Sequence, residues 1–262
     1  MSALDTTEND GVLNLTLNRP KNMNAMNEDL IREINSVIDR AETKDNLRCV
    51  VIRGSDGNFS AGGDVETMKE NIGDYEPISQ VKELREGAHR MISRLFDLHV
   101  PTVACIKGAA VGAGLSLALA CDVVIATESA KLGAPFSKVG LVVDMGGSVT
   151  ITDAVGIRKA KEILFFSKLL SAREAADIGL INEAVPSEDF DDHCEELINE
   201  LASGPTIAYG LSKQLVHAGI DGDINEGLKR ETNAQAIAAT TKDHQEGVEA
   251  FLEQRKPEFK GE

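Results

Sequence analysis

The spacing of apolar residues switches between strand and helix periods along the first part of the chain. Leu13, Leu15 and Leu17 alternate with polar residues, which predicts a strand with one solvent-exposed face. Apolar residues then recur at helical spacing behind Asn27, which fits an N-cap, and the apolar run from Cys49 predicts the next strand. Because this alternation repeats, we expect an α/β fold built from several short strands.

The later part of the chain loses the strand pattern. A polar segment holds a predicted helix at about 79–98, and the strand at 102–106 leads through a glycine-rich turn into a short apolar helix and another strand. A Ser-Ala-Arg-Glu capping box at 171–174 predicts one more short helix. We divide the chain into a core, residues 1–190, and an all-helical region, residues 191–262, whose apolar stripes pack on the core or on another subunit.

The amino-acid composition and net charge argue against some classes of binding partner. The 262 residues are 42% hydrophobic, which suffices for a large core. The 43 acidic residues outnumber the 27 basic ones and give a net charge of -16, so nucleic acids and anionic membrane surfaces would be repelled. The excess of acid fits a high-salt cytoplasm or a need for solubility. Because no segment approaches the ~20 apolar residues of a membrane span, and no signal-like segment opens the chain, we expect a soluble, cytoplasmic protein.

The cysteines and histidines show no metal-binding pattern. The four cysteines are scattered without a Cys-x-x-Cys pair, which is typical of buried, reduced thiols. The five histidines form no His-Glu-x-x-His motif and show no other ligand spacing, so we expect no metal site.

One carboxylate interrupts an otherwise apolar segment. Asp144 stands in a run of Val, Leu and Gly just before paired glycines, in FSKVGLVVDMGG at 136–147. Apolar surroundings disfavour the charged form of a carboxylate, which suits it to accept and return protons near neutral pH. The segment therefore predicts a general base, with an N-cap of the following helix as the alternative.

Two glycine-containing turns follow predicted strands, FSAGGD at 59–64 and KGAAVGAGLSLA at 107–118. Free N–H groups at such turns suit an anion or a developing oxyanion, especially where a helix begins. Neither turn matches the Gly-x-x-x-x-Gly-Lys-Ser/Thr pattern of a phosphate loop, and the glycine spacing does not fit a dinucleotide-binding motif. Packing glycines are the alternative, but two such turns at strand ends favour a ligand site.

Together these segments resemble the crotonase family, the enoyl-CoA hydratase/isomerase superfamily. The likeness spans nearly the whole chain, in LNRPKNMNAMN, FSAGGDVETM, IKGAAVGAGLSLALACDVVIA, FSKVGLVVDMGG, LSAREAADIGLINEAV and EGVEAFLEQRKPEF. The resemblance implies a spiral of ββα units, a helical C-terminal trimerisation region, and a trimer or a dimer of trimers. It also implies an acyl-CoA thioester as substrate, with no metal or redox cofactor.

The resemblance assigns roles to particular residues. It implies an oxyanion hole made by the backbone N–H groups of Gly63 and Ala113, which would stabilise the enolate of the thioester. Phe259 and Lys260 match a tail that can reach a neighbouring subunit's coenzyme A site, with an ordinary frayed tail as the alternative. The positions matching coenzyme A contacts are Lys21, Met23, Ala25, Ala61, Gly62 and Asp64.

The sequence departs from the typical hydratases of the family at both catalytic glutamates. Ser116 and Phe136 occupy those positions and are candidates for the acyl pocket. Neither side chain can protonate carbon at neutral pH, which disfavours a standard hydratase. Asp144, eight positions after Phe136, coincides with the acid of dienoyl-CoA isomerases and of the epoxyphenylacetyl-CoA isomerases of phenylacetate breakdown, and resembles the second group more closely.

Three functions remain open at this point. The leading hypothesis is an isomerase in which Asp144 shuttles a proton and moves a C=C bond between the 3,4 and 2,3 positions of an acyl-CoA, or rearranges an epoxyphenylacetyl-CoA. The second is a hydratase of atypical design, in which Asp144 and a bound water share the work. The third is a non-catalytic acyl-CoA-binding protein.

Overall fold

The computed structural model describes residues 2–70, 72–73, 76–220 and 222–262. Its strands are β1 (Leu4–Asn9), β2 (Val12–Leu17), β3 (Cys49–Gly54), β4 (Thr102–Ile106), β5 (Ala109–Val111), β6 (Val123–Thr127), β7 (Lys131–Gly133), β8 (Leu170–Ser171) and β9 (Glu183–Val185). Its helices are α1 (Glu28–Ala41), α2 (Val65–Glu70), α3 (Pro77–Leu84), α4 (Arg90–Phe96), α5 (Ala113–Leu119), α6 (Gly147–Phe166), α7 (Ala172–Asp177), α8 (Phe190–Ala202), α9 (Thr206–Gly219), α10 (Ile224–Ala238) and α11 (Lys242–Glu253).

Two sheets organise the described residues, which confirms the expected α/β class. The larger has six strands in the order β1-β2-β3-β4-β6-β9, parallel except for β1 at the edge. The smaller has the order β5-β7-β8. Leu13, Leu15 and Leu17 are buried in β2 as predicted. Strand β1 was not predicted, because only Leu4 of its six residues is buried and the pattern therefore carries no alternation.

Apolar side chains cover both faces of the larger sheet. In β3, Val50 and Ile52 join the main core cluster, whereas Cys49 and Val51 join a second cluster that includes Phe190 of α8. Burial on both faces is the usual state of parallel strands, which explains why CVVIRG is a continuous apolar run and not an alternating one. The site described below lies on the side of the main core cluster.

The four cysteines are buried free thiols, as predicted. Burial raises the pKa of the Cys49 thiol to about 12, so this thiol stays protonated at neutral pH. A protonated, buried thiol is a poor nucleophile and behaves as a small apolar side chain.

Helix boundaries follow the predicted caps in two places. Asn27 Oδ1 accepts from Leu30 N at 3.0 Å at the start of α1, and Ser171 and Glu174 form the predicted capping box of α7. The helix expected at about 79–98 exists but is not uniform: α3 passes through a π-helical turn, Arg85–His89, into α4. Such turns insert one residue into the helical register and often mark functional positions.

Helices α8 to α11 follow the last described strand, so the expected helical C-terminal region is present. Several of its large apolar side chains are exposed, among them Ile224, Leu228, Phe251 and Leu252. Packing of these stripes on another subunit stays a prediction. No helix within the described ranges combines the length and the apolar character needed to cross a membrane.

Candidate active site

The two glycine-containing turns lie side by side. Ser60 N donates to Ala109 O at 2.8 Å and Val111 N donates to Ser60 O at 3.0 Å, so the two segments run parallel into their turns. Gly62 adopts φ +99°, and a methyl group there would lie 2.7 Å from Val111 O and 3.5 Å from Ala113 N. The turns therefore touch through backbone atoms, at a separation that only glycine allows.

Each turn carries a backbone N–H group without an internal partner. Gly63 stands between the two hydrogen bonds that join its turn to Met26, and Ala113 opens α5 behind Gly112, whose φ is +55°. Within the part of the chain that the structure describes, neither the Gly63 nor the Ala113 N–H makes a hydrogen bond. The first N–H groups of a helix have no intrahelical acceptor, so the Ala113 donor is available to a ligand.

The residues matched to coenzyme A contacts gather around the first of these turns. Met23 O accepts from Ala61 N at 2.9 Å, which holds the segment after the first 3₁₀ turn against the glycine turn. Ala25 is buried, whereas Met23 is half exposed and Lys21 is exposed. Met23 therefore adjoins the glycine turn, and the contact of these residues with coenzyme A stays a prediction.

Asp64 differs from these neighbours because its carboxylate is fully engaged within the protein. It is buried, pairs with Arg19 Nη2 at 2.7 Å, and accepts hydrogen bonds from Glu66 N and Thr67 N at the start of α2. Burial raises the pKa of Asp64, but the hydrogen bonds from Arg19 and the two N–H groups outweigh it, and the pKa lies below its usual value of 3.8. These contacts give Asp64 a structural role in fixing the glycine turn.

Asp144 lies on an irregular segment and is only partly enclosed by apolar side chains. Its side chain is 32% exposed, and the neighbouring Leu141 and Val142 are themselves exposed. The apolar enclosure expected for this carboxylate is therefore only partial: Val143 and Met145 pack on the main core cluster, whereas Leu141 and Val142 do not. Residues 140–146 form no helix or strand, so no regular element turns all four apolar side chains inward.

The alternative interpretation of Asp144 as a helix N-cap is also wrong. Helix α6 begins at Gly147 behind Gly146, and no side chain caps it. Asp144 Oδ1 instead accepts from Met145 N at 2.5 Å. Met145 and Gly146 both adopt left-handed conformations, with φ of 53° and 77°, so a tight turn sets the direction of the carboxylate.

His89 contacts Asp144, a relation that the sequence did not predict. His89 Nε2 lies 2.7 Å from Asp144 Oδ1, and its side chain is 46% exposed. The two residues are 55 positions apart in the sequence, and the π-helical turn that carries His89 interrupts a pattern that predicts a plain helix. No motif signals this pair, because it depends on the local register of one turn.

Ser116 and Phe136 lie close to the two turns. A methyl group at Gly147 would lie 2.6 Å from Ser116 Oγ, so the start of α5 packs directly on the start of α6. Ser116 Oγ is buried and, among the described residues, has no hydrogen-bond partner. Phe136 Cζ lies 4.0 Å from the position of a methyl group at Gly112. Phe136 therefore adjoins the turn that carries Ala113, and Ser116 adjoins the start of α6, three residues after Asp144.

The C-terminal tail is held against its own chain. Asp243 of α11 accepts hydrogen bonds from Lys260 N and Gly261 N at 2.7 and 2.8 Å, and the Phe259 ring lies against Gly247. The alternative of a frayed tail is therefore wrong. Whether Phe259 and Lys260 contribute to a neighbouring coenzyme A site stays a prediction.

Comparison with known proteins identifies the family. The sequence profile described as "Enoyl-CoA hydratase/isomerase" matches residues 7–262. The chain belongs to the enoyl-CoA hydratase/isomerase family. The "1,2-epoxyphenylacetyl-CoA isomerase" of Escherichia coli K12 is 33% identical over 96% of this chain and 95% of that protein. The "Probable enoyl-CoA hydratase" of Rhodobacter capsulatus is 36% identical over 96% and 95%.

The fold of this family member matches solved structures along its whole length. An enoyl-CoA hydratase from Polaromonas sp. JS666 superposes with a TM-score of 0.92 at 29% identity, covering 98% of this chain and 99% of that one. The expectation of a crotonase-like fold is therefore confirmed. The names of the relatives include both hydratases and isomerases, so the comparisons define an enoyl-CoA hydratase/isomerase family enzyme.

Replacing Asp64 by Asn tests how strongly this enzyme's glycine turn depends on its buried ion pair. We expect Asp64→Asn to lower the free energy of unfolding by about 3 kcal/mol at pH 7, because Arg19 loses its partner. The pKa of Asp64 is lowered by folding, so its ionised form stabilises the fold above the unfolded-state pKa. That stabilisation disappears as the pH falls through the lowered value.

The measurement is urea unfolding of wild type and variant at several pH values. The difference in the free energy of unfolding between wild type and variant should be constant from about pH 8 to pH 6 and shrink below about pH 4. Asp56 lies in an exposed turn, so Asp56→Asn is the matched control. It should change the free energy of unfolding little at any pH. A difference that persists undiminished at low pH would contradict the assigned role of the carboxylate.

Proposed function

We propose that the protein is an acyl-CoA isomerase that moves the C=C bond of a 3-enoyl-CoA to the 2,3 position, with Asp144 as the proton shuttle. The main support for this proposal is the hydrogen bonding of the Asp144 carboxylate. Oδ1 contacts His89 Nε2 and Met145 N, whereas Oδ2 makes no hydrogen bond within the described ranges. A carboxylate fixed through one oxygen leaves the other to accept and return a proton.

The proposed reaction transfers one proton between two carbons. Asp144 removes a proton from C2, and the electron pair of that C–H bond moves into conjugation with the thioester carbonyl. The protonated carboxyl then delivers the same proton to C4, which leaves the double bond between C2 and C3. Atoms and charge balance within substrate and carboxyl group, so the chemistry calls for no cofactor besides the coenzyme A of the substrate.

The neighbouring glycine turns support the enolate step. The Gly63 and Ala113 N–H groups would donate to the thioester oxygen, on which negative charge develops when the C2 proton leaves. Fixed backbone donors of this kind stabilise a developing oxyanion without reorganising, and each is typically worth about 3 kcal/mol of the barrier. The contact between the turns at Gly62 and Val111 holds the two donors in a fixed relation.

Rearrangement of an epoxyphenylacetyl-CoA is a second candidate for the same site. Its support is the 33% identity to the E. coli isomerase of that name. A carboxylate that exchanges protons beside an oxyanion hole serves either substrate, and the shape of the acyl pocket around Phe136 decides between them. An enzyme of phenylacetate degradation would take the ring substrate, and one of fatty acid metabolism would take the 3-enoyl chain.

The atypical hydratase and the non-catalytic binding protein are less well supported. Hydration needs one group to activate water and another to protonate C2, and Ser116 and Phe136 stand at the positions where family hydratases carry those acids. Binding alone does not require a carboxylate that His89 and Met145 hold through one oxygen. Ser116 Oγ, which is buried and has no hydrogen-bond partner among the described residues, could still bind a water, so a hydration substrate belongs in the test.

The exposed apolar side chains of α9 to α11 support a homo-oligomer as part of the proposal. Leu228 and Phe251 are more than half exposed in the single chain, and α8 to α11 together would form the oligomerisation region of residues 191–262. A trimer or a dimer of trimers would bury them. We place this assembly in the cytoplasm, consistent with buried thiols and an acidic surface.

The substrate panel that tests the proposal is trans-3-hexenoyl-CoA, crotonyl-CoA and 1,2-epoxyphenylacetyl-CoA, each assayed in water and in heavy water. We expect kcat/KM for one of the two isomerisations to exceed that for hydration by about 100-fold or more, a difference of about 2.7 kcal/mol. Transfer of the substrate's own proton predicts that part of the product formed in heavy water carries no deuterium. Hydration faster than both isomerisations would replace this proposal by the atypical hydratase, and no turnover of any substrate would favour the binding protein.

A further inference from the structure

Two residues of the helical segment 85–96 contact the turn at residues 144–146. His89 Nε2 lies 2.7 Å from Asp144 Oδ1. Three residues later, Ile92 Cγ2 lies 3.2 Å from the position of a methyl group at Gly146. Residues three apart share a helix face, so this face holds the turn at both ends. His89 supplies the polar contact and Ile92 the apolar one.

The two donors to Asp144 converge on a single oxygen. His89 Nε2 and Met145 N both contact Oδ1, at 2.7 and 2.5 Å. The Met145 N–H belongs to the adjoining peptide and follows the carboxylate wherever the turn goes. His89 comes from another element, so it is the contact that ties the carboxylate to the body of the protein. Without it, only the Met145 N–H of the same turn would hold a side chain that is 32% exposed.

From this geometry we infer that His89 is a positioning residue for Asp144: it holds Oδ1 so that Oδ2 alone transfers the proton. The inference rests on the proposed function, because it presupposes that Asp144 is the shuttle. A base that must reach both C2 and C4 needs a fixed position relative to the substrate. A displacement of about 1 Å in such a group can lower the rate about 100-fold. An imidazole that carries a proton on Nε2 donates from this atom to a carboxylate oxygen.

The rest of the helix leaves His89 free for this role. Its neighbour Arg90 turns away from the site and pairs with Asp39 of α1 at 2.9 Å. The π-helical turn Arg85–His89 changes the helical register immediately before the buried residues of α4, and His89 is its last residue. The register shift therefore ends where the contact with Asp144 is made, which is the arrangement expected of a functional π turn.

The test compares His89→Leu with His89→Gln, using the isomerisation substrate of the wild-type enzyme. We expect His89→Leu to lower kcat about 10- to 100-fold with KM within about twofold, because it leaves binding intact and releases the base. The Gln side chain keeps an N–H donor, so His89→Gln should recover most of kcat. The double variant with Asp144→Asn should be no slower than Asp144→Asn alone, because His89 acts only through that carboxylate.

A second histidine in contact with an acid provides the matched control. His193 Nε2 lies 2.8 Å from Glu183 Oε2, on the face of the sheet covered by α8. His193→Leu should leave kcat unchanged. If His89→Leu retains full kcat while Asp144→Asn is inactive, the positioning role is overturned and the proposed function stands. If Asp144→Asn retains wild-type isomerisation, the function itself fails. A His89→Gln as slow as His89→Leu would also overturn the inference.

Discussion

Asp144→Asn should lower kcat for isomerisation by about 1,000-fold, because a side-chain amide cannot accept the proton that leaves C2 and general acid–base catalysis typically contributes 10²- to 10⁴-fold. The substitution is nearly isosteric. Asn Oδ1 can still accept from His89 Nε2 and Met145 N, so the turn before α6 should keep its geometry. We therefore expect KM to change by less than about threefold and the melting temperature to stay within about 2 °C of wild type.

The measurement is steady-state kinetics on the preferred isomerisation substrate, with thermal unfolding of the same samples. Glu183→Gln is the matched control: it removes a carboxylate that contacts His193 at 2.8 Å, on the other face of the sheet, and should leave kcat unchanged. Deuterium uptake at C4 of the product should disappear together with turnover. An Asp144→Asn enzyme with kcat within tenfold of wild type would show that another group removes the proton.

The core and the caps could be predicted because their signals are local. Leu13, Leu15 and Leu17 alternate because a strand has a period of two, and Ser171 with Glu174 forms a capping box because both partners lie within one turn. Strand β1 escaped prediction, since it pairs with β2 at the sheet edge and buries only its first side chain. Edge strands are held by backbone hydrogen bonds, which the pattern of side chains does not reveal.

The environment of Asp144 could not be predicted from its neighbours in sequence. Apolar residues next to it suggested full enclosure; Val143 and Met145 do pack on the core, but Leu141 and Val142 are exposed because no regular element packs them inward. Its actual partner, His89, comes from a helix 55 residues earlier, at a π-helical turn that no spacing rule reveals. The sequence thus singled out Asp144 but not its contact with His89, since contacts between distant elements depend on tertiary packing.

The substitution with the largest expected effect on the proposed oxyanion hole is Gly62→Ala. A methyl group at position 62 would lie 2.7 Å from Val111 O and 3.5 Å from Ala113 N, at φ +99°, where side chains are strained. The two turns must move apart, so the Gly63 and Ala113 N–H groups can no longer converge on one oxygen. Losing one such donor costs about 3 kcal/mol, which predicts a fall in kcat of about 100-fold or more.

A second glycine separates the effect of backbone strain in Gly62→Ala from the effect of the steric clash. Gly57 also has a positive φ, +75°, but no atom lies within 4 Å of the position of a methyl group there. Gly57→Ala should lose about 1 kcal/mol of unfolding free energy through backbone strain alone and keep its kcat. Gly62→Ala should lose more stability and, in its folded fraction, most of its activity. The two variants are compared by urea unfolding and by kcat per folded enzyme. Equal kcat in both would contradict an oxyanion hole at Gly63 and Ala113, since the clash at Val111 would then leave the reaction untouched.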